Sequence, residues 1–429
     1  MQIFLTGASG FIGQHLLSAL LAEGHQVVAA VRKTEQWQAR FPEVKWISCD
    51  YSKDHDPQVW LPRLTDIEVV INAVGIIREG RGQRFEDLHT HAPIALWKAA
   101  EQSGIGKILQ ISALGADEMA ESAYHLTKRA ADEALLAMNV DAVIFQPSIV
   151  IGRGGGSTTL FSAMAALPWL PVIGRGEQRV QPIHIDDLTA SVLALLRQWP
   201  TQKTRLELVG AQAVSFLQLL VLIRNWLGFR ATAAWHLPIP VMKVIAKLND
   251  WLGMGPLTSD SLSMLLRGNC GDPSHVTALT GLQPRTVQAA LRHSPATTAD
   301  RWYAQLFFLR PLLRFVIGFL WLFTGIVSAF IYPIEQSYQL LAATGISGIM
   351  APIMLYSSAA LDALLGIATW MGYRIRIVVG LQLLLMVGYM AIITLSLPEL
   401  WIHPFGPITK NLPLMVATLI MLVFEKNDP

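Results

Sequence analysis

From residue 303 to residue 425, Asp, Glu, Lys and Arg almost disappear for long stretches, and four apolar runs stand out: Leu312–Tyr332, Ile349–Met371, Ile377–Leu397 and Leu412–Phe424. Each is near the roughly 20 residues a helix needs to cross about 30 Å of hydrocarbon, the last being short. Helices buried in a large soluble core share this composition, but four in succession with almost no charge point to a membrane bundle. The chain is thereby divided. Its 429 residues exceed one core, and the overall charged fraction of 15%, against roughly 25% in soluble domains, is low because of this half.

The positive residues set an expected orientation. Arg301, Arg310 and Arg314 lie ahead of or at the start of the first run, and Arg374 and Arg376 fill the connection between the second and third. The connection Pro333–Gly348 has neither Lys nor Arg, and the one before the last run has only Lys410. Both termini are therefore expected on the cytoplasmic side of an inner membrane. No secretory leader is expected either, because Met1-Gln2-Ile3-Phe4-Leu5 runs straight into a glycine motif.

Two cysteines, Cys49 and Cys270, stand far apart with no CxxC or His-rich neighbour, which argues against a disulfide framework or a zinc site and suits a reducing compartment. No metal is expected. A net charge of +2 and the lack of a basic tract with interleaved aromatics give no case for nucleic acid.

Over residues 1 to about 200, short β-branched runs alternate with helical patterns, the mark of βαβ units and a parallel sheet. The expected strands are Gln2–Leu5, Gln26–Val31, Val44–Cys49, Val69–Ala73, Lys107–Ile111 and Asp141–Phe145; helices include Phe11–Glu23, Pro93–Ser103 and Tyr124–Met138. Residues 200–300 are more irregular, with a strand-like Arg205–Val209, a helix around Ser215–Leu227 and an amphipathic Val241–Leu252. The last either rests on the cytoplasmic leaflet or covers the lobe's own core. The expected fold is a Rossmann-type, doubly wound α/β domain over 1–295, whose substrate lobe occupies about 150–295, followed by an all-α transmembrane four-helix domain over 303–429.

Thr6-Gly7-Ala8-Ser9-Gly10-Phe11-Ile12-Gly13 follows the first strand and opens the first helix. Gly7 permits the tight turn, Gly10 lets backbone N–H groups approach a pyrophosphate, and Gly13 lets the helix pack on the sheet. Thr6, Ser9, Phe11 and Ile12 complete the cofactor-facing turn. The second strand ends in Ala29-Ala30-Val31-Arg32-Lys33 without the carboxylate that would hold a ribose. Arg32 and Lys33 suit a 2′-phosphate, favouring NADP over NAD, unless they are ordinary surface cations. Asp50 is placed either to accept from the adenine amino group or to cap a helix. Asn72-Ala73-Val74-Gly75 closes the fourth strand, where Asn72, Ala73 and Gly75 pass under the cofactor.

On these residues, roughly 1–295 resemble the short-chain dehydrogenase superfamily in its extended or atypical branch, near the group of the NADPH-binding accessory subunit of respiratory complex I. Further support comes from Ile111-Ser112-Ala113-Leu114-Gly115-Ala116, from Gln146-Pro147-Ser148-Ile149-Val150-Ile151-Gly152 and from Gln181-Pro182-Ile183-His184-Ile185-Asp186-Asp187-Leu188. The resemblance implies that Pro147 and Ile149 lie beside the nicotinamide; Gln146 replaces an arginine of many relatives. Tyr124-His125-Leu126-Thr127-Lys128 matches the family's Tyr-x-x-x-Lys, with both side chains on one helix face. By that resemblance Lys128 binds the nicotinamide ribose and lowers the phenol's pKa, Tyr124 transfers a proton as hydride moves, and Ser112 holds the substrate carbonyl. Tyr124 packing on the sheet in a chain that binds nucleotide without turnover is the competing reading. The short Ser112-to-Tyr124 interval argues against sugar-nucleotide substrates, and Arg153-Gly154-Gly155-Gly156-Ser157 is either a mobile loop over the cleft or a plain connector.

The C-terminal part is similar to DoxX-like four-helix membrane proteins, most tellingly at Trp401-Ile402-His403-Pro404-Phe405-Gly406-Pro407 followed by Lys410-Asn411. Asp362 lies inside the second run, where a carboxylate is costly, with Lys410, His403 and Gln382 as possible partners; it is either functional or an interhelical hydrogen bond. The expectation is a membrane-anchored NAD(P)H-dependent oxidoreductase acting on a lipophilic carbonyl or quinone-like substrate. The alternatives are a non-catalytic nucleotide-binding subunit of a membrane complex and an epimerase- or dehydratase-type isomerase.

Overall fold

A computed structural model describes residues 1–80, 82–252 and 257–426, in two compact units, Met1–Ala304 and Gln305–Pro429. The first unit is built on seven parallel strands: β1 (Gln2–Thr6), β2 (Gln26–Val31), β3 (Lys45–Ser48), β4 (Val69–Asn72), β5 (Lys107–Ile111), β6 (Asp141–Pro147) and β7 (Thr204–Leu208). They lie in the order β3-β2-β1-β4-β5-β6-β7. Phe4 is paired with Val28 on one side and Val70 on the other. β1, β2 and β4 are almost wholly buried, as parallel strands covered on both faces must be, whereas β3 at the sheet edge is half-buried or exposed.

Alternation along each strand splits the core in two. Ile3, Leu5, Ala29 and Ile71 face Leu16, Leu17 and Leu20 of α1 (Phe11–Ala22). Phe4, Val28, Val70 and Ile108 face the other way, onto Trp60, and onto Leu96 and Trp97 of α2 (Ala92–Gln102) and Leu135 of α3 (Ala123–Ala137). The run expected as a strand of the irregular lobe, Arg205–Val209, is instead the seventh strand of the main sheet, pairing in register with β6 from Thr204 opposite Val143. Its inward Leu206 and Leu208 complete the sheet-edge core.

Among the described residues of the second unit, three helices are long and apolar enough to cross a membrane: Leu309–Ile331, Met350–Met371 and Ile375–Ser396. At 22 residues or more each reaches about 33 Å. We label them α4 (Leu309–Ile326, extended by a π-turn through Ile331), α5 (Met350–Met371) and α6 (Ile375–Ser396). The fourth apolar run folds as α7 (Asn411–Lys426), only 16 residues, about 24 Å and short of a full crossing. The connection after the first span holds an unforeseen helix, Ile334–Ala343.

Apolar side chains cover the outside of this unit, including Leu384, Leu395 and Val423, while Ile317, Trp321, Val379 and Met421 fill its interior. α4 and α5 meet through glycine. A Cβ on Gly366 would lie 2.5 Å from the Leu322 nitrogen and 2.7 Å from the Gly318 oxygen, and one on Gly325 would lie 2.5 Å from the Ala359 oxygen, the small-residue packing that replaces the hydrophobic effect in lipid. Arg314 donates from Nε to the Thr369 carbonyl (2.8 Å) and from Nη2 to that of Trp370 (2.7 Å), capping α5, and faces Glu425 at 3.6 Å. Asp362 is buried and does not pair with the partners expected of it: its Oδ1 meets no hydrogen-bond partner among the described residues, and Gln382 donates to Thr369 Oγ1 at 2.9 Å.

Candidate active site

The strand order reverses beside β1, so a crevice opens at the carboxyl ends of β1 and β4. Gly7 there has φ +71°, and a Cβ on it would sit 2.7 Å from the Ala73 carbonyl; only glycine fits both demands. A Cβ on Gly13 would lie 2.7 Å from the Gly7 carbonyl carbon and 2.9 Å from Ala8 Cα, so α1 starts in backbone contact with the loop. Gly10 is the N-cap. No side chain caps α1, its first turn carries no acid, and Ser9 and Gly10 are exposed. An uncapped helix start with a glycine at its mouth fits a diphosphate, whose charge the N–H groups and helix dipole would hold.

Asn72 fixes the floor. Its Oδ1 accepts from Thr6 Oγ1 (2.7 Å), the Tyr51 hydroxyl (2.9 Å) and the Val74 N–H (3.2 Å), while its Nδ2 donates to Gln110 Oε1 (2.7 Å). One buried side chain thus ties β1, β4 and β5 together and sets the turn carrying Ala73 and Gly75. Arg32 and Lys33 follow β2 and are exposed. Asp50 is spent locally, accepting from Ser52 and facing Lys53 at 3.6 Å, and Ser52 draws its carboxyl below the usual range against the upward push of burial. Pro147 ends β6 with its carbonyl accepting from Leu114 N–H, and Ile149 N–H donates to Asn269 Oδ1.

Ser122 caps α3, its Oγ accepting from the His125 N–H, and this places Tyr124 and Lys128 one turn apart. Lys128 is buried; its Nζ donates to the carbonyls of Val74 (3.1 Å) and Ile111 (3.2 Å), bridging the ends of β4 and β5 beside Gly75. Burial lowers its pKa to about 8. The Tyr124 ring stands edge-on to His89 and Phe85, at centroid distances of 5.4 and 5.9 Å. Burial, then the Asp132 carboxylate, pushes its phenol up to about 12, the opposite of the lowering expected of Lys128.

Two neighbours escape sequence reading. Asp132 is one turn beyond Lys128 and buried; its Oδ2 accepts from Ser112 Oγ at 2.6 Å and from Gln146 Nε2 at 3.3 Å, and burial raises it to about 6. Ser112 therefore points inward. The i, i+4 spacing from Lys128 is the one signal that marks Asp132. His89 accepts the Ile76 N–H at Nε2 (3.1 Å) and meets Thr127 Oγ1 at Nδ1 (3.1 Å). Burial, then the Lys128 cation, lowers it to about 2, so it is neutral; nothing in the sequence marks it.

A cavity of about 230 Å³ adjoins this region, lined among others by Leu114, Gly115, His125, Arg179 and Arg267. The Arg153 loop is anchored: Arg153 pairs with Asp300 at 3.1 Å, and a Cβ on Gly155 would meet the Phe11 ring at 3.0 Å. His55, Asp87 and His91 also come together at the surface. His55 Nε2, however, faces the Tyr51 carbonyl at 2.9 Å, and Lys98 lines the same hollow, an unfavourable setting for a cation.

Residues 3–205 match the NAD dependent epimerase/dehydratase family, and residues 318–419 match the DoxX-like family. The chain thus joins an NAD-dependent epimerase/dehydratase-type domain to a DoxX-like domain, as both resemblances implied. Among individual proteins it is 28% identical over 256 residues to NADH dehydrogenase [ubiquinone] 1 alpha subcomplex subunit 9, mitochondrial, of Arabidopsis thaliana, covering 57% of this chain and 62% of that one. It is 33% identical over 200 residues to a ceramide reductase of Caulobacter vibrioides, covering 46% and 61%. The chain therefore spans less than two thirds of the length of these relatives. In fold it is similar to UDP-glucuronic acid 4-epimerase from Bacillus cereus in complex with UDP-glucuronic acid and NAD, with a TM-score of 0.53 and 18% identity over 72% of this chain and 100% of that one.

Proposed function

We propose that this protein is a membrane-anchored NADPH-dependent reductase of a lipophilic carbonyl or quinone-like compound. The observation that carries the reading is the convergence of the uncapped α1 start, Gly75 and the Tyr124–Lys128 pair at the carboxyl ends of the central strands, in a chain that also has three helices of membrane-spanning length among the described residues. Thr6 to Gly13, with Asn72, Ala73 and Gly75, would hold the dinucleotide, Arg32 and Lys33 its 2′-phosphate, and Lys128 its nicotinamide ribose. Bound NADPH supplies the hydride. Tyr124 holds its proton firmly at neutral pH, its pKa lying at about 12, and donates it to the oxygen of the carbonyl being reduced. Lys128 carries positive charge below about pH 8 and steadies the phenolate left behind. Ser112 orients the carbonyl after turning from Asp132, giving up a charge-assisted hydrogen bond worth about 1.5–3 kcal/mol. The likeness to a reductase named for ceramide supports a substrate with long apolar chains, and a membrane tether raises the local concentration of such a substrate. The arginines near α4 and α6 support a nucleotide domain on the cytoplasmic face.

A second reading is favoured by the inward-turned Ser112 and the complex I subunit relatives: a nucleotide-bound, non-catalytic subunit of a membrane complex. The test is NADPH oxidation by the purified full chain with long-chain aldehydes, long-chain ketones and short-chain quinones. Turnover that Tyr124→Phe lowers by roughly 10²–10⁴-fold is expected. Retention of nucleotide with no turnover on any of them would overturn the reductase reading in favour of the subunit.

A further inference from the structure

We infer that the outward face of the helix Ile239–Leu252 is a bilayer-contact surface that seats the substrate lobe on a lipid leaflet. A helix turns about 100° per residue, which sets Met242 and Ala246 on one side and Val241, Val244, Ile245, Leu248 and Trp251 in a stripe roughly 120° wide on another. The first side is spent on the lobe's own core, where Met242 and Ala246 pack with Ile173 and Leu262. The second stands open, with Val244 68% and Trp251 81% exposed. The helix therefore covers the lobe's own core with one side and leaves the other free for a leaflet.

Lys243 and Lys247 run along one edge of the stripe, where long stems carry ammonium groups toward headgroups while the apolar face goes deeper. Two more tryptophans stand out on the same lobe, Trp235 at 59% exposed and Trp169 at 61%. The strand Ala234–Leu237 pairs in parallel with Leu170–Ile173, Trp235 opposite Pro171. Alternation then puts Trp169 and Trp235 on one face of the ribbon, away from the buried Leu170 and Val172. Tryptophan rings with an apolar body and a polar N–H suit the membrane–water boundary.

The chain itself names the occupant. Its first spanning helix begins at Leu309, a few residues beyond the end of this unit at Ala304, so the chain itself tethers this unit to a bilayer. The one-sided basic edge matches anionic lipid. The contact would also serve the cleft: the helix Ser259–Arg267 packs Leu262 against Met242 and Ala246, while Met264 and Arg267 line the cavity beside His125. One helix thus separates the proposed lipid-facing helix from the cavity.

The test uses the full chain in vesicles of phosphatidylcholine and phosphatidylglycerol containing a phospholipid with a photoactivatable acyl chain, with labelled peptides mapped by mass spectrometry. Labelling is expected on 239–252 as well as on the three spanning helices, and it should fall when phosphatidylglycerol is left out. Val244→Asp combined with Leu248→Asp should abolish labelling of this segment and leave that of the spanning helices intact; nucleotide retention by the variant shows that the domain is folded, and Val244→Ser with Leu248→Ser serves if it is not. An unlabelled 239–252 in the wild type, with the spanning helices labelled, overturns the inference. So do inter-chain cross-links from Lys243 or Lys247, which would give the face to a second copy. Neither outcome depends on turnover.

Discussion

Gly13→Ala sets two known effects against each other at the nucleotide loop. Replacing a helical glycine by alanine favours the helix by about 1 kcal/mol. The new methyl, however, would meet the Gly7 carbonyl carbon at 2.7 Å and Ala8 Cα at 2.9 Å, backbone atoms that cannot swing aside. The Gly7 carbonyl oxygen lies nearer still, so reaching an ordinary contact at ~3.5 Å requires the start of α1 to retreat by about 1.5 Å, and overpacking of this kind costs roughly 1–3 kcal/mol. The net loss of stability is therefore small, about 0–2 kcal/mol. Binding suffers more. If the retreat breaks two N–H bonds to a diphosphate, each worth about 1.5 kcal/mol or more because the acceptor is charged, affinity falls by roughly 100-fold. Titration of NADPH fluorescence on the detergent-solubilised full chain, beside melts without nucleotide, separates the two effects. Gly106→Ala is the control, because a Cβ there meets nothing within 4 Å. A Gly13→Ala protein that binds within about threefold of wild type would refute the whole account of the loop.

Other outcomes follow from the same site and from the spanning helices. His89 is neutral in the fold and has a pKa of about 2 against an ordinary 6.5, so an unfolded chain takes up a proton that the native one refuses; stability should fall by about 1.4 kcal/mol per pH unit below pH 6.5. Denaturation at pH 7.5 and 5.5 should show a loss about 1.4 kcal/mol larger in the wild type than in His89→Gln, because His125 and His184, which burial also lowers, lose stability in both proteins and the raised Asp132 acts in the opposite sense in both. Arg32→Glu with Lys33→Glu should weaken NADPH by roughly 10- to 100-fold and leave NADH nearly unchanged; equal losses for both nucleotides would remove the 2′-phosphate assignment. Gly366→Leu should disrupt the α4–α5 contact, read as protease sensitivity of the second unit in vesicles, with nucleotide binding by the first unit retained.

β2 and β5 lie where the sequence puts them, and β1, β3, β4 and β6 differ by one or two residues at their ends, because fully covered parallel strands write continuous apolar runs. Thr204–Leu208 was legible as a strand but not as part of the main sheet: Arg205 and Glu207 give it the alternation of a half-covered edge, and nothing local names its partner. The glycine loop and the Tyr124–Lys128 spacing were readable because each function lies within a few consecutive residues. The Asn72 hub, the Ser112–Asp132 bond and His89 were not. They join groups 13 to 66 positions apart, and a single chain carries no mark of such meetings.

Where α4 and α5 touch, hydrogen atoms occupy the places that side chains would fill. No acyl chain can wedge into so narrow a seam, and neither helix can roll without driving its neighbour's backbone. The two, each long and apolar enough to span a bilayer, pack as a single hairpin. Any rearrangement within the membrane unit must then fall to the looser joints around α6 and the shorter α7, where ordinary side chains can slide past one another.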